Sequence, residues 1–343
     1  MKALAFTRPL GIGELQKELQ MVDVPVPEPE KGRLLVRMRA SSINIDDIHF
    51  AEGTFFGGLR PSRASAGSPS IPGVDVSGTV EKVGPGVSGF AEGDEVLGIL
   101  MPKGKGTWAE YCCVPAASAL KKPAGYSFEE AAACCIGGKT AANAVTSAGL
   151  SDGQTAVVVG ASGGIGSIIV QVLCRRGVRV IAVCSGKNAA LAGSLGADTV
   201  VDYTRGPFGR QLEGTTVDAV IDCVGGRETE AEGFRILAKS GRFVTLVGPR
   251  QYVGDVRTGR AGVMGMLWYV GRRALVTALS GPRYVMAGIG SSLVPLQELV
   301  LDNGISPPVD RQLDFEAEAV REGVAYVAGH RAKGKVIIRI AEG

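Results

Sequence analysis

Between Val157 and Leu173 the chain reads VVVGASGGIGSIIVQVL, a stretch whose residue types and spacing commit it to a chemistry. Val157–Val159 is an apolar run suited to a buried strand, Ala161–Gly166 gives A-S-G-G-I-G, and Ser167–Leu173 opens a helix. Small residues at those positions permit a tight turn, close approach of the backbone to a pyrophosphate, and close packing of helix on strand. The helix N-terminus then offers unpaired N–H groups and the positive end of its dipole to phosphate. A glycine cluster alone is weak evidence, but a strand before it and a helix after it supply the context of a dinucleotide site. Ala161, Ser162, Gly163, Gly164, Ile165 and Gly166 are the expected phosphate-binding residues.

The next apolar run, Arg179–Val183, leads into Cys184-Ser185-Gly186-Lys187. An NAD site places Asp or Glu there to bond the ribose 2′-hydroxyl. This chain offers the Ser185 hydroxyl and the Lys187 ammonium instead, with Tyr203 and Arg205 after the following strand. A 2′-phosphate needs such donors, so NADP(H) is the expected cofactor. A solvated Lys187 is the plainer alternative.

Metal chemistry has little to draw on. The chain holds seven cysteines and two histidines, His49 and His330, and none of the cysteines forms a C-x-x-C pair. Buried thiols in a reducing, cytoplasmic setting are the expectation, because neither a zinc lobe nor a disulfide framework has this spacing. The N-terminus shows no basic region followed by an apolar segment and a cleavage site, so no secretory signal is expected. The 37 Lys+Arg against 34 Asp+Glu leave +3, too little to imply a nucleic-acid or membrane protein by bulk charge. Runs such as Val263–Val270 fall far short of the ~20 apolar residues of a membrane span.

Two textures surround these residues. Residues 1–125 read as short strands, among them Leu34–Met38, Gly78–Val83 and Glu95–Leu100, separated by Gly/Pro turns as in a compact barrel-like region. Glycine makes up 50 of 343 residues, without a G-X-Y period, which implies many tight turns. Thr54–Pro72 reads as a long loop of the kind that borders sites. From about Ser127, Val/Ile runs alternate with helices: Thr155–Val159, Arg179–Val183, Thr199–Asp202, Val217–Asp222 and Arg242–Val247 are the expected strands. Helices are expected at Phe128–Ala148, Gly164–Arg176, Asn188–Leu195 and Leu293–Leu301. That alternation means a parallel sheet covered on both faces, and the terminal KVIIRI returns to a β pattern. The expected fold class is α/β, with a β-rich domain at 1–125 and 302–343 enclosing a dinucleotide-binding domain at 126–301.

Five stretches together carry a resemblance: SSINIDD at Ser41–Asp47, PGVDVSGTVEKVGPGVSGFAEGDEV at Pro72–Val96, GTWAEY at Gly106–Tyr111, SLGADTVVDY at Ser194–Tyr203 and GHRAKGKVII at Gly329–Ile338. In order and over almost the whole length, the chain resembles the medium-chain dehydrogenase/reductase superfamily, in its zinc-free quinone oxidoreductase and enone reductase branch. The resemblance implies a GroES-like catalytic domain around a Rossmann doubly wound sheet, an active site in the cleft between them, and a homodimer. Val224, Val247 and Gly248 join the expected cofactor-binding set. Where zinc enzymes of the superfamily place a catalytic Cys and a GHE motif, this chain has Asn44 and Gly73-Val74-Asp75, and no cysteine falls between 97 and 111.

Without a Lewis acid a simple ketone is poorly polarised, whereas an enone, enal or quinone spreads the charge of an added hydride onto oxygen. Stabilising that oxyanion needs only placed hydrogen-bond donors. Asn44 carries an amide, and in similar enzymes this Asn and the Asp three residues on, here Asp47, border nicotinamide and substrate; a purely turn-forming Asn44 is the alternative. His49 is a third candidate, with a packing role favoured, and Tyr252 and Tyr269 are weaker proton donors. From Arg250 to Arg283 the chain has six arginines and one acid, Asp255. Cover for the cleft or a dimer contact is favoured there over contact with a membrane surface, and that over RNA. The expected function is NADPH-dependent reduction of an activated C=C bond or a quinone. A non-catalytic NADPH-binding scaffold, an RNA-associated ζ-crystallin-like protein, and a biosynthetic reductase for one natural product are the alternatives.

Overall fold

The computed structural model describes residues 1–54, 64–101, 104–251, 259–288, 290 and 292–340. Most of the expected loop at Thr54–Pro72, and with it Tyr252, Asp255 and Arg257 further along, lie outside the described residues. The chain packs as two compact units, Met1–Ile136 with Val309–Gly343, and Gly137–Val253 with Arg260–Pro308. The first division falls inside the helix Phe128–Ala148 rather than ahead of it.

The first unit opens with β1 (Lys2–Ala5) and β2 (Gln20–Asp23), an antiparallel pair. Then come β3 (Arg33–Ile43), the helix Ile45–Glu52, β4 (Asp75–Val83), β5 (Glu95–Ile99), β6 (Tyr111–Pro115) and β7 (Ala119–Lys121). β3 is the spine, pairing antiparallel with β4 on one side and β6 on the other. Gly78 faces Met38 across that pairing, and a Cβ there would run into the Arg37 carbonyl, so the two strands meet only through glycine. Phe6, Leu34, Met38, Val96 and the fully buried Trp108 fill the core.

In the second unit the apolar runs become β8 (Thr155–Val159), β9 (Arg179–Cys184), β10 (Thr199–Asp202), β11 (Val217–Asp222), β12 (Leu237–Thr245) and β13 (Arg283–Met286). They form one parallel sheet in the order β10-β9-β8-β11-β12-β13. Chain order reverses between β8 and β11, where a doubly wound sheet holds its ligand beyond the carboxyl ends of its strands. Helices Gly166–Arg175, Arg227–Ile236 and Arg260–Ser280 belong to this unit. β12 begins earlier than expected, at Leu237, because Leu237 pairs with Val217 and a register shift then carries the pairing to Arg242 opposite Ala219. The expected helix at Leu293–Leu301 is a short α turn, Val294–Leu296, followed by a π-helical turn, Gln297–Leu301.

The chain then returns to the first unit as β14 (Val309–Asp314), the helix Ala317–Ala328 and β15 (Lys335–Arg339). β15 lies antiparallel to β3 with Val336 opposite Ile43, which sets Lys335 beside the residue that follows β3.

Candidate functional site

That residue is Asn44. It stands in extended conformation as the N-cap of Ile45–Glu52, and its backbone N–H donates to Asp47 Oδ2 at 2.8 Å, the reciprocal half of a capping box. Its side chain does more than cap. Nδ2 donates to Asp75 Oδ2 at 2.9 Å and makes two longer contacts, 3.2 Å each, to Asp47 Oδ2 and Ser42 Oγ. Oδ1 accepts from the Lys335 ammonium. Lys335 also pairs with Asp75 Oδ2 at 3.4 Å, with both side chains nearly or wholly buried. Ser42 Oγ donates to Asp75 Oδ2, and the Ile136 N–H donates to Asp75 Oδ1 at 2.9 Å.

One N–H of the Asn44 amide is therefore spent on a carboxylate, while the other is divided between two long contacts. A carbonyl polarised by an ammonium makes its own amide N–H a stronger donor. Asn44 is also the half-buried member of a cluster whose other members, Ser42, Asp47, Asp75 and Lys335, are buried. Asp47 is 1% exposed, and burial together with the neighbouring Asp75 pushes its carboxyl well above the usual carboxylate range. Its Oδ1 has no hydrogen-bond partner among the described residues. His49 is buried on the same helix. Of this cluster the sequence pointed to Asn44 and Asp47; Lys335 lay unremarked in the terminal KVIIRI, because only the pairing of β15 with β3 reveals its neighbours.

In the second unit the expected cofactor residues gather at the carboxyl ends of the strands. The chain leaves β8 at Gly160, whose φ of +80° suits glycine, and Gly160 and Ala161 both donate to the Val183 carbonyl, tying the turn to β9. A Cβ on Gly166 would collide with the Gly160 carbonyl, so the helix starts flush on the turn only with glycine there. That leaves a backbone cradle of the shape a pyrophosphate requires, and the residues present fit a dinucleotide. Ser162 Oγ accepts from Asn188 Nδ2 at 2.9 Å, a brace supplied by a residue the sequence analysis did not single out.

Ser185 is buried at the end of β9, while Lys187 and Tyr203 are exposed after β9 and β10. Asp202, the last residue of β10, lies opposite Cys184, and a Cβ on Gly186 would meet its Oδ2. Two hydrogen bonds from Thr204 hold the Asp202 carboxyl below its ordinary range. An acid thus does reach this corner, from the neighbouring strand rather than from the end of β9. At the end of β11, the buried Asp222 accepts from the Val224 and Gly225 N–H groups and from Thr245 Oγ1. Thr245 Oγ1 in turn accepts from the N–H groups of Val247 and Gly248, so one carboxyl shapes both loops that hold Val224, Val247 and Gly248. Tyr269 donates to Glu230 at 3.0 Å, which occupies its proton.

A family model for the alcohol dehydrogenase GroES-like domain matches residues 30–124, and one for zinc-binding dehydrogenases matches residues 195–338. The chain is 30% identical to the 2-methylene-furan-3-one reductase of Solanum lycopersicum, over 98% of this chain and 79% of that protein. It is 33% identical to the mitochondrial NAD(P)H oxidoreductase RTN4IP1 of Mus musculus, over 90% of this chain and 82% of that one. Among solved structures, the quinone oxidoreductase from Coxiella burnetii aligns with a TM-score of 0.80 at 25% identity, over 99% of each chain. Among the described residues no three His, Cys, Asp or Glu are grouped to hold a metal ion.

Proposed function

The chain belongs to the medium-chain dehydrogenase/reductase superfamily, in its quinone oxidoreductase branch, and is an oxidoreductase using a nicotinamide cofactor; from that premise we propose that it reduces the activated C=C bond of an enone or enal, or a quinone, with NADPH and without zinc. Held by its pyrophosphate at the cradle of Gly160–Gly166, a reduced nicotinamide dinucleotide would supply a hydride. An enone that accepted it would carry the new charge on its carbonyl oxygen until a proton from solvent completed the reduction, and the chain's task is to hold that charge. Asn44 does so with its loosely committed N–H, backed by the Lys335 ammonium on Oδ1. The hydrogen bonds of Asn44 and Lys335 carry this reading. The tomato relative's name, a reductase of a methylene-furanone, points the same way.

Ser185, Lys187 and Tyr203 favour the 2′-phosphate of NADPH, and Asp202 is the group that opposes it. Because a carboxylate sits in the corner, the preference is narrower than three donors alone would give. The homodimer implied by the resemblance is part of the same proposal. Initial rates of NADPH and NADH oxidation over enals, cyclic enones, quinones and saturated aldehydes test it. Turnover of the unsaturated substrates with NADPH, and none of the saturated ones, is expected. Tight NADPH binding with no turnover in any class would make the protein a scaffold instead.

A further inference from the structure

The helix Arg260–Ser280 is apolar on two sides, and only one side is covered. Val263, Met266 and Thr277 are buried, and Val270 packs on the core cluster of the parallel sheet. The other side presents Met264, Leu267, Trp268, Leu275, Val276 and Leu279, exposed by 45 to 84%. Positions 264, 268, 275 and 279 recur at helical spacing along about 22 Å of helix axis. A helix that is apolar all round belongs in an interior, so an exposed half of this kind marks an interaction surface.

Charge selects the partner. The helix carries no acid, and from Arg250 to Gln297 the sequence holds six arginines and one acid, a net +5 that the pairing of Arg273 with Glu230 reduces to +4, in a chain whose total is +3. The rest of the chain is therefore net negative. Two copies meeting through this face would bring like charge to like charge, whereas an anionic lipid surface satisfies both the apolar stripe and the arginines. Arg272 is exposed and stacks over the Trp268 ring at 5.6 Å, an arrangement that keeps a guanidinium at headgroup level while the indole enters the interface. Arg283, also exposed, follows the end of the helix. Arg273 is committed to Glu230 at 2.6 Å and is not part of the surface. Among the described residues no helix is long and apolar enough to cross a membrane, so contact would be along the interface.

We propose that this face of Arg260–Ser280 docks the protein on a membrane surface bearing anionic lipid, independently of which substrate it reduces. The chain has two tryptophans, and Trp108 is fully buried, so a change in emission on adding vesicles reports Trp268. The experiment floats the purified full chain with phosphatidylcholine vesicles, with and without phosphatidylglycerol. Flotation with the anionic vesicles, a blue shift of Trp emission, and its decline with added salt are expected. Leu275→Glu combined with Leu279→Glu should lower the bound fraction tenfold or more, and Arg272→Ala roughly fivefold. Both variants alter exposed side chains and should keep wild-type NADPH binding, which separates lost docking from lost fold. Absence of flotation, or equal flotation of wild type and double variant, overturns the proposal. So does a wild type that stays off the vesicles and sediments as a dimer that the double variant breaks, since the face would then be a contact between copies.

Discussion

At the scale of single residues, Asn44 and Asp47 are one capping box put to two uses. The box itself would form with any helix, but the Asn44 side chain also binds the Lys335 ammonium and the Asp75 carboxyl, which a turn former has no need to do. Asn44→Ala should lower kcat for an enone by ~10²–10³, the usual cost of losing one donor to a developing oxyanion, while leaving the Kd for NADPH nearly unchanged. A variant within about twofold of wild type would reduce Asn44 to a cap. Asp47 gives a prediction in pH. A carboxyl whose pKa is higher in the folded than in the unfolded chain holds its proton more tightly when folded. Its ionisation therefore costs stability as pH rises past the unfolded value of about 4 and on through the folded one. Asp47→Asn keeps an oxygen for the Asn44 N–H and removes that ionisation. Denaturant unfolding at several pH values should show the variant gaining on wild type from pH 4 upward; a constant difference would mean that Asp47 ionises freely.

At the scale of elements, the turn from β8 into its helix is the one proposed to hold the cofactor, and it leaves no room for a side chain where the helix starts. Gly166→Ala drives a methyl into the Gly160 carbonyl, backbone that cannot swing aside, and should cost about 1–3 kcal/mol with a matching loss of NADPH affinity. Gly193→Ala, outside the turn on the helix Ala189–Ser194 and with nothing within 4 Å of the added methyl, is the control and should cost nothing measurable. Thermal melts and NADPH titration of the pair check this; equal effects would show that the turn relaxes. The same turn explains why so much of the fold was legible. β8, β10 and β11 begin and end as expected; β8, buried over Ala156–Val159, writes itself as an unbroken apolar run, whereas β10 is a partly exposed edge strand and β11 carries Asp218 and Asp222. The ends of β12 were not legible: Lys239 and Ser240 interrupt the run, and the register shift that carries them is set by pairing with β11. Likewise Lys335, Asn188 and Asp202 gain meaning only from a neighbouring strand or turn, and no local pattern announces a residue whose partners lie far along the chain.

At the scale of the whole molecule, the first unit is built from both ends of the chain, and its charge balance depends on that closure. Asp75 comes from β4 and Lys335 from β15, 260 residues apart, and their ion pair is buried. A buried carboxylate left without its cation is costly, so the return of the C-terminus neutralises the cluster as it completes the sheet. The same closure bears on the proposal that the protein works without zinc. Zinc at this cluster would need three or four nitrogen, sulfur or carboxylate ligands with room between them. The carboxyls hydrogen-bonded within the cluster are Asp75, already paired, and Asp47, whose carboxyl resists ionisation. The nearby Cys135 thiol donates to the Val76 carbonyl and is pushed up by burial, far from the thiolate that a metal needs. A dication there would also stand against the Lys335 ammonium. The purified protein should therefore contain well under one zinc per chain and keep its full rate of enone reduction in strong chelator. Metal analysis finding about one zinc per chain, with activity lost on chelation and restored by zinc, would show that Lys335 yields its place and that the oxyanion is held by a metal rather than by Asn44.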